Sequence, residues 1–132
     1  MNSLLNWRAW VVSAVIFGGL CLAGAEPVEG SERLTRDEVR RIVAHSFPPW
    51  AVGDAVAVAE CESRFVVDAI GAAGEIGLFQ IHPPSWSAWL LARFGGRVSL
   101  RDPWANAAAA RAIWSYDGGR FGGQWVHCGA GR

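Results

Sequence analysis

Two glutamates interrupt an otherwise small and apolar stretch, Ala55-Val56-Ala57-Val58-Ala59-Glu60-Cys61-Glu62-Ser63. On a helix, Glu62 has Ala59, Val58 and Ala55 behind it on its own face. A carboxylate set against such a face loses hydration, and desolvation raises its pKa. A carboxyl that keeps its proton near neutral pH can act as general acid toward a leaving oxygen. The competing reading is a helix-end Glu whose head reaches solvent. Glu60 lies on a different face, against Val56 and Ala57, so spacing alone does not choose between the two. For Glu60 an ion pair with one of the many Arg is the expected role.

Other reactive side chains are few. His127 stands beside Cys128, but the three His and three Cys of the chain show no zinc-ligand spacing. Neither a metal nor any other cofactor is expected. Positive and negative charges balance at 12 each, all the positive ones are Arg, and no basic run occurs. Nucleic acid therefore has no electrostatic support as a partner.

The elements that must hold these residues are mainly helical. Thr35-Arg36-Asp37-Glu38 has the form of a capping box. Val39, Ile42, Val43 and Phe47 then repeat at helical spacing, with Arg36, Arg40 and Arg41 on a solvated face, until Phe47-Pro48-Pro49 stops the helix. A second helix is predicted from Trp50 or Ala51 to Ser63, apolar on every side and hence buried. Residues 64–74 read as a loop. Gly77-Leu78-Phe79-Gln80-Ile81 is a short strand or a tight extended turn, ended by Pro83 and Pro84. Ser85 to Phe94 reads as a short helix closed by Gly95-Gly96. The last helix starts with Asp102 at the N-cap and Pro103 behind it, runs through alanines, and ends at Gly118-Gly119. The fold class is α+β, mainly α, with a very small β element.

The N-terminus reads as a leader. Residues 1–25 carry one Arg, an uncharged apolar stretch from Ala9 to Gly24, and Ala23-Gly24-Ala25 before Glu26, a small-x-small cleavage site. The apolar run, about 16 residues, falls short of the ~20 of a spanning helix, although an uncleaved anchor is the alternative. Residues 26–34 read as a tether and 35–132 as one domain. Cleavage discards Cys21 and leaves Cys61 and Cys128, an even pair suited to an oxidising compartment. A disulfide between them is favoured over two buried thiols.

The segment Glu62-Ser63-Arg64-Phe65, Ala69, Gly74 and Gly77-Leu78-Phe79-Gln80-Ile81 resembles the signature of the soluble-lytic-transglycosylase domain. That pattern is Glu-Ser, an aromatic two residues on, an Ala, then Gly-Ala-x-Gly-Leu-Met-Gln, and the interval from Glu62 to Gln80 agrees. The resemblance implies a lysozyme-like fold in which Glu62 protonates a β-1,4 glycosidic oxygen of peptidoglycan. It also implies that Ser63 and Gln80 line or brace a cleft and that Gly77 makes a close turn beside substrate. Phe79 and His82 are further candidate substrate contacts. A secreted, monomeric enzyme acting on glycan strands, without stable membrane insertion once its leader is cleaved, follows as the expectation.

Two departures qualify the resemblance. Position 75 is Glu where the family usually has Ala. Animal-type lysozymes carry their second catalytic carboxylate at the same distance before a similar Gly-x-Leu-Gln segment. Glu75 is thus a candidate second carboxylate, or else a loop Glu facing solvent or an Arg. The family's Ala-Tyr-Asn-x-Gly segment has no confident counterpart: Tyr116-Asp117-Gly118 follows Asn106 too soon, and the chain closes with Gln124-Trp125-Val126-His127-Cys128, as in compact phage- and actinobacterial-type versions. Hydrolysis and 1,6-anhydro formation both stay open. Six Trp lie beyond the leader, at 50, 86, 89, 104, 114 and 125, of which one or two are expected at the cleft and the rest in the core. From another class, a non-catalytic wall-binding module that keeps the cleft is the rival reading.

Overall fold

Thr35 opens the first helix. Its hydroxyl accepts from the Glu38 N–H while the Glu38 carboxylate takes the Thr35 N–H at 2.8 Å, the reciprocal capping box. The structure, a computed structural model, describes residues 30–129. The leader read at residues 1–25, with Cys21, lies outside the described residues. Helix α1, Arg36–Ser46, buries Val39, Ile42 and Val43, and Phe47 caps its end before the two prolines. A 3-10 turn at Pro49–Ala51 leads into α2, Val52–Ser63. Helix α3 is Pro83–Phe94 and α4 is Pro103–Tyr116.

Helix α3 begins two residues earlier than the sequence suggested. Pro83 and Pro84 read as terminators of the preceding segment, yet they occupy the first turn of the helix, with His82 as its N-cap. A proline has no N–H to lose there, and its φ is already helical. Gly95 closes α3 in the left-handed region, φ 69°.

Helices α2 and α4 both pack on α1. Ala107, Ala109 and Ala110 of α4 and Ala55 and Ala59 of α2 are fully buried, and their small side chains permit close approach. Between the helices lies an aromatic core. Phe47 stacks on Phe79 and on Phe121, each at 5.8 Å between ring centres, and Trp125 meets Phe79 edge-on at 5.9 Å. Such pairs contribute about 1 kcal/mol each beyond the area they bury.

Among the described residues the β component consists of isolated bridges only. One pairs Arg33 with Val66, flanked by Leu34 N–H to Phe65 O and Val67 N–H to Glu32 O, both 3.0 Å. Residues 32–34, read from the sequence as the end of a tether, are therefore tied into the fold. No periodicity announces this, because the partner strand is supplied by a loop 31 residues away. The other bridges join Ile76 to Ile70 and to Ile81 and bend residues 69–81 into two successive tight turns. Gly77-Leu78-Phe79-Gln80 forms the second of these turns.

The Cys61–Cys128 disulfide is present, with Cα atoms 5.7 Å apart. It ties the end of α2 to the C-terminal segment, next in sequence to Glu62. No helix among the described residues is long and apolar enough to cross a membrane.

Candidate active site

Glu62 sits in the last turn of α2, half-buried. Its carboxyl is pushed up from 4.5 to about 7, first by burial and second by the negative charge of Glu75. A fully solvated helix-end Glu would not behave so. Glu60, two residues back, is exposed and pairs with Arg36 across the α1–α2 boundary. Arg36 thus does more than face solvent, although an exposed pair of this kind contributes only ~0–1 kcal/mol.

The chain turns sharply after Glu62. Arg64 and Phe65 both take positive φ, 52° and 67°, costly for residues with a Cβ. Ser63 holds this turn in place. Its hydroxyl donates to Ala59 O at 3.0 Å and accepts from Phe65 N–H at 3.2 Å, and the residue is 1 % exposed. With both bonds made to its own backbone, Ser63 braces the helix end.

Glu75 enters from the first of the two turns. Its Oε2 accepts the Ala73 N–H at 3.0 Å, so the carboxylate is held by the loop. A Cβ built on Gly71 would strike both Glu75 Oε2 and Gln80 Oε1, which places these two oxygens side by side over a glycine floor. Gln80, at φ 46°, is buried and donates through Nε2 to Ala69 O and Gly77 O, both 3.0 Å. Glu62, Glu75 and Gln80 are the sequence candidates that the fold brings together.

Two other candidates take different places from those expected. Phe79 is fully buried between Phe47 and Trp125, so its ring belongs to the core and is no substrate contact. Its neighbours Leu78, Gln80 and Ile81 are buried with it, so the whole turn is packed inside the fold. Gly77 does need to be glycine, at φ 82°, but its close neighbours are Asn106 and the Leu100 carbonyl, not an open cleft. His82 is half-buried and bonded through Nδ1 to Ser85 Oγ at 2.8 Å, at the start of α3. Among the described residues no group of three His, Cys, Asp or Glu is placed to hold a metal.

Three residues to which the sequence reading gave no role at the site hold the Gln80 turn. Asn106 is fully buried, accepts from Phe79 N–H at 2.9 Å, and donates to Ile76 O and Leu100 O at 2.9 and 2.8 Å. Its only signal was a lone amide inside the alanine run of α4. Trp125 donates its indole N–H to Phe79 O at 2.6 Å. Gln124 donates to Gln80 O at 3.3 Å and accepts from the Trp86 indole at 2.5 Å.

The tryptophans divide as their surroundings dictate. Trp114 and Trp125 are core, Trp50 and Trp104 are exposed, and Trp86 and Trp89 form a half-buried cluster with exposed Tyr116.

A half-buried, proton-retaining carboxyl beside a second, anchored carboxylate can donate a proton to a bridging oxygen and stabilise positive charge that develops next to it. Comparison with curated proteins and with solved structures yields no match. The model of the Transglycosylase SLT domain family matches residues 52–131, from the start of α2 through the C-terminal segment that carries Gln124, Trp125 and Cys128. The matched stretch covers more than half the chain and includes every residue of the carboxylate cluster, and so the protein belongs to the Transglycosylase SLT domain family.

Proposed function

We propose that the protein is a lytic transglycosylase that cleaves the β-1,4 bond between N-acetylmuramic acid and N-acetylglucosamine, with Glu62 as general acid and then base. Family membership supports peptidoglycan as the substrate and a mainly helical, lysozyme-like fold. The observation that carries the residue assignment is the Glu62 carboxyl, raised to about 7 by burial and by Glu75.

In this reading Glu62 gives its proton to the bridging oxygen. The C1–O bond breaks with its electron pair leaving on that oxygen, and the muramyl sugar becomes oxocarbenium-like. Its own C6 hydroxyl then attacks C1 and returns a proton to Glu62, which closes a 1,6-anhydro ring and restores the acid. Glu75 offers negative charge to the transient cation. The Gln80 turn, fastened by Asn106, Gln124 and Trp125, keeps these groups in register.

One observation favours a second outcome. Glu75 is close enough for its charge to act on Glu62, and a retaining hydrolase uses two carboxyls about 5–5.5 Å apart. Water would then replace the C6 hydroxyl and leave a reducing end. The action is extracytoplasmic on either route, in keeping with a disulfide.

Mass spectrometry of muropeptides released from purified peptidoglycan separates the outcomes: anhydro ends for the transglycosylase, reducing ends for the hydrolase. Turnover by E62Q equal to that of wild type would remove Glu62 from the chemistry. No turnover by either protein, with binding to peptidoglycan retained, would favour a wall-binding module.

A further inference from the structure

A groove of about 540 Å³ lies between α3, α4 and the end of α1, lined by Ser46, Trp89, Arg93, Phe94, Arg111 and Tyr116 among others. Its size falls in the range of ligand sites. Neither Glu62, Glu75 nor Gln80 lines it. Two guanidiniums face it from opposite helices and no carboxylate does, although acids and bases balance over the whole chain. Neither Arg93 nor Arg111 makes an ion pair among the described residues. Arg111 instead lies over the Trp114 ring, 4.7 Å from its centre, and Arg93 over Phe94 at 5.8 Å. A guanidinium held near a ring can still bind an anion through its N–H groups.

The groove is joined to the carboxylate cluster by direct contacts. Trp89 and Tyr116 meet Trp86 edge-on at 5.5 and 5.8 Å, the Trp86 indole donates to Gln124, and Gln124 donates to the Gln80 carbonyl. This chain of contacts links the lining of the groove to the Gln80 turn. Tyr116 is 67 % exposed although Trp86 and Trp89 touch its ring, so aromatic surface is left open beside the groove.

We infer that this groove binds the acidic stem peptide of peptidoglycan, whose carboxylates pair with Arg93 and Arg111 while its aliphatic parts lie against Trp89 and Tyr116. The assignment rests on the proposed substrate class. Charge is the reason for preferring a peptide to a sugar ring: two cations on separate helices suit carboxylates spaced along a chain, and a neutral hexosamine would leave both without a partner. Bidentate Arg–carboxylate bonds give this selectivity its strength.

Two experiments test it. First, wild type and R93Q/R111Q are compared on glycan strands with their acidic stem peptides and on the same strands after the peptides are removed. Turnover of stem-bearing strands should fall on the order of tenfold in the variant, with stem-free strands unaffected. Equal loss on both strands, which would follow from a lactyl-carboxylate site or a damaged fold, overturns the proposal, as does no loss on either. Second, free acidic stem peptide is titrated into E62Q protein while the tryptophan indole N–H signals are followed by NMR. The Trp89 signal should move, less so at high salt, and should stay still when R93Q and R111Q are added. An unresponsive Trp89 overturns the proposal even where cleavage is intact. Peptide binding without any cleavage by wild type would sustain the groove and count against the catalytic reading instead.

Discussion

Replacing Glu75 with Gln removes one negative charge beside Glu62 and leaves an oxygen that can still accept the Ala73 N–H, now 3.0 Å from Oε2. Loop geometry is thereby preserved and the electrostatic effect isolated. Glu62 is raised from 4.5 to about 7, with burial the larger cause and Glu75 the smaller. E75Q should therefore return the smaller part of the rise and leave the Glu62 carboxyl still higher than a solvated one. The sign follows from the role of the proton. A general acid works only while protonated, so activity falls as pH passes through its pKa, and lowering that pKa moves the basic limb toward acid. In kcat/KM on purified peptidoglycan, the deficit of E75Q relative to wild type should widen by up to roughly tenfold between about pH 5 and pH 8, on top of the pH-independent loss of its charge beside the sugar. A basic limb that stays put or moves upward would refute the electrostatic link between the two carboxyls. A loss of many orders of magnitude at every pH would show instead that Glu75 acts on the sugar directly, as in a retaining hydrolase.

Further outcomes follow from the same contacts. Glu62→Gln should lower turnover by about two to four orders of magnitude. It should also gain stability relative to wild type as pH rises from about 4.5 through 7, because the native carboxyl holds its proton more tightly than the unfolded one. Chemical unfolding at pH 4 and pH 8 measures this, and an equal difference at both would contradict it. Asn106→Ala leaves Phe79 N–H, Ile76 O and Leu100 O without their buried partner and should cost about 2–4 kcal/mol in denaturant unfolding. Gly77→Ala should be at least as damaging as an ordinary core substitution, at ~2 kcal/mol or more, since a Cβ there meets a backbone carbonyl at positive φ. Cys61→Ala with Cys128→Ala opens a loop with a separation of 67 residues and should lower stability by about 4 kcal/mol, read as a fall in melting temperature.

Local chemistry wrote most of the helical frame in advance. The capping box at Thr35, the prolines after Phe47 and the Asp102-Pro103 start of α4 act within one turn of chain, so they can be read without knowing the fold. The same holds for the apolar face behind Glu62, which lies on its own helix. What could not be read there was the second cause of its proton affinity, because Glu75 comes from a different turn of the chain. The inward direction of Phe79, the pairing of residues 32–34 with 65–67, and the three hydrogen bonds of Asn106 share that character. Each depends on a partner distant in sequence, chosen by packing after the helices have formed. The sequence by itself determined where α1 and α4 begin and the dry stretch of helix that leads to the Glu62 carboxyl. Only the tertiary structure decided what stands opposite that carboxyl, since charge acts through space and local patterning acts along the chain.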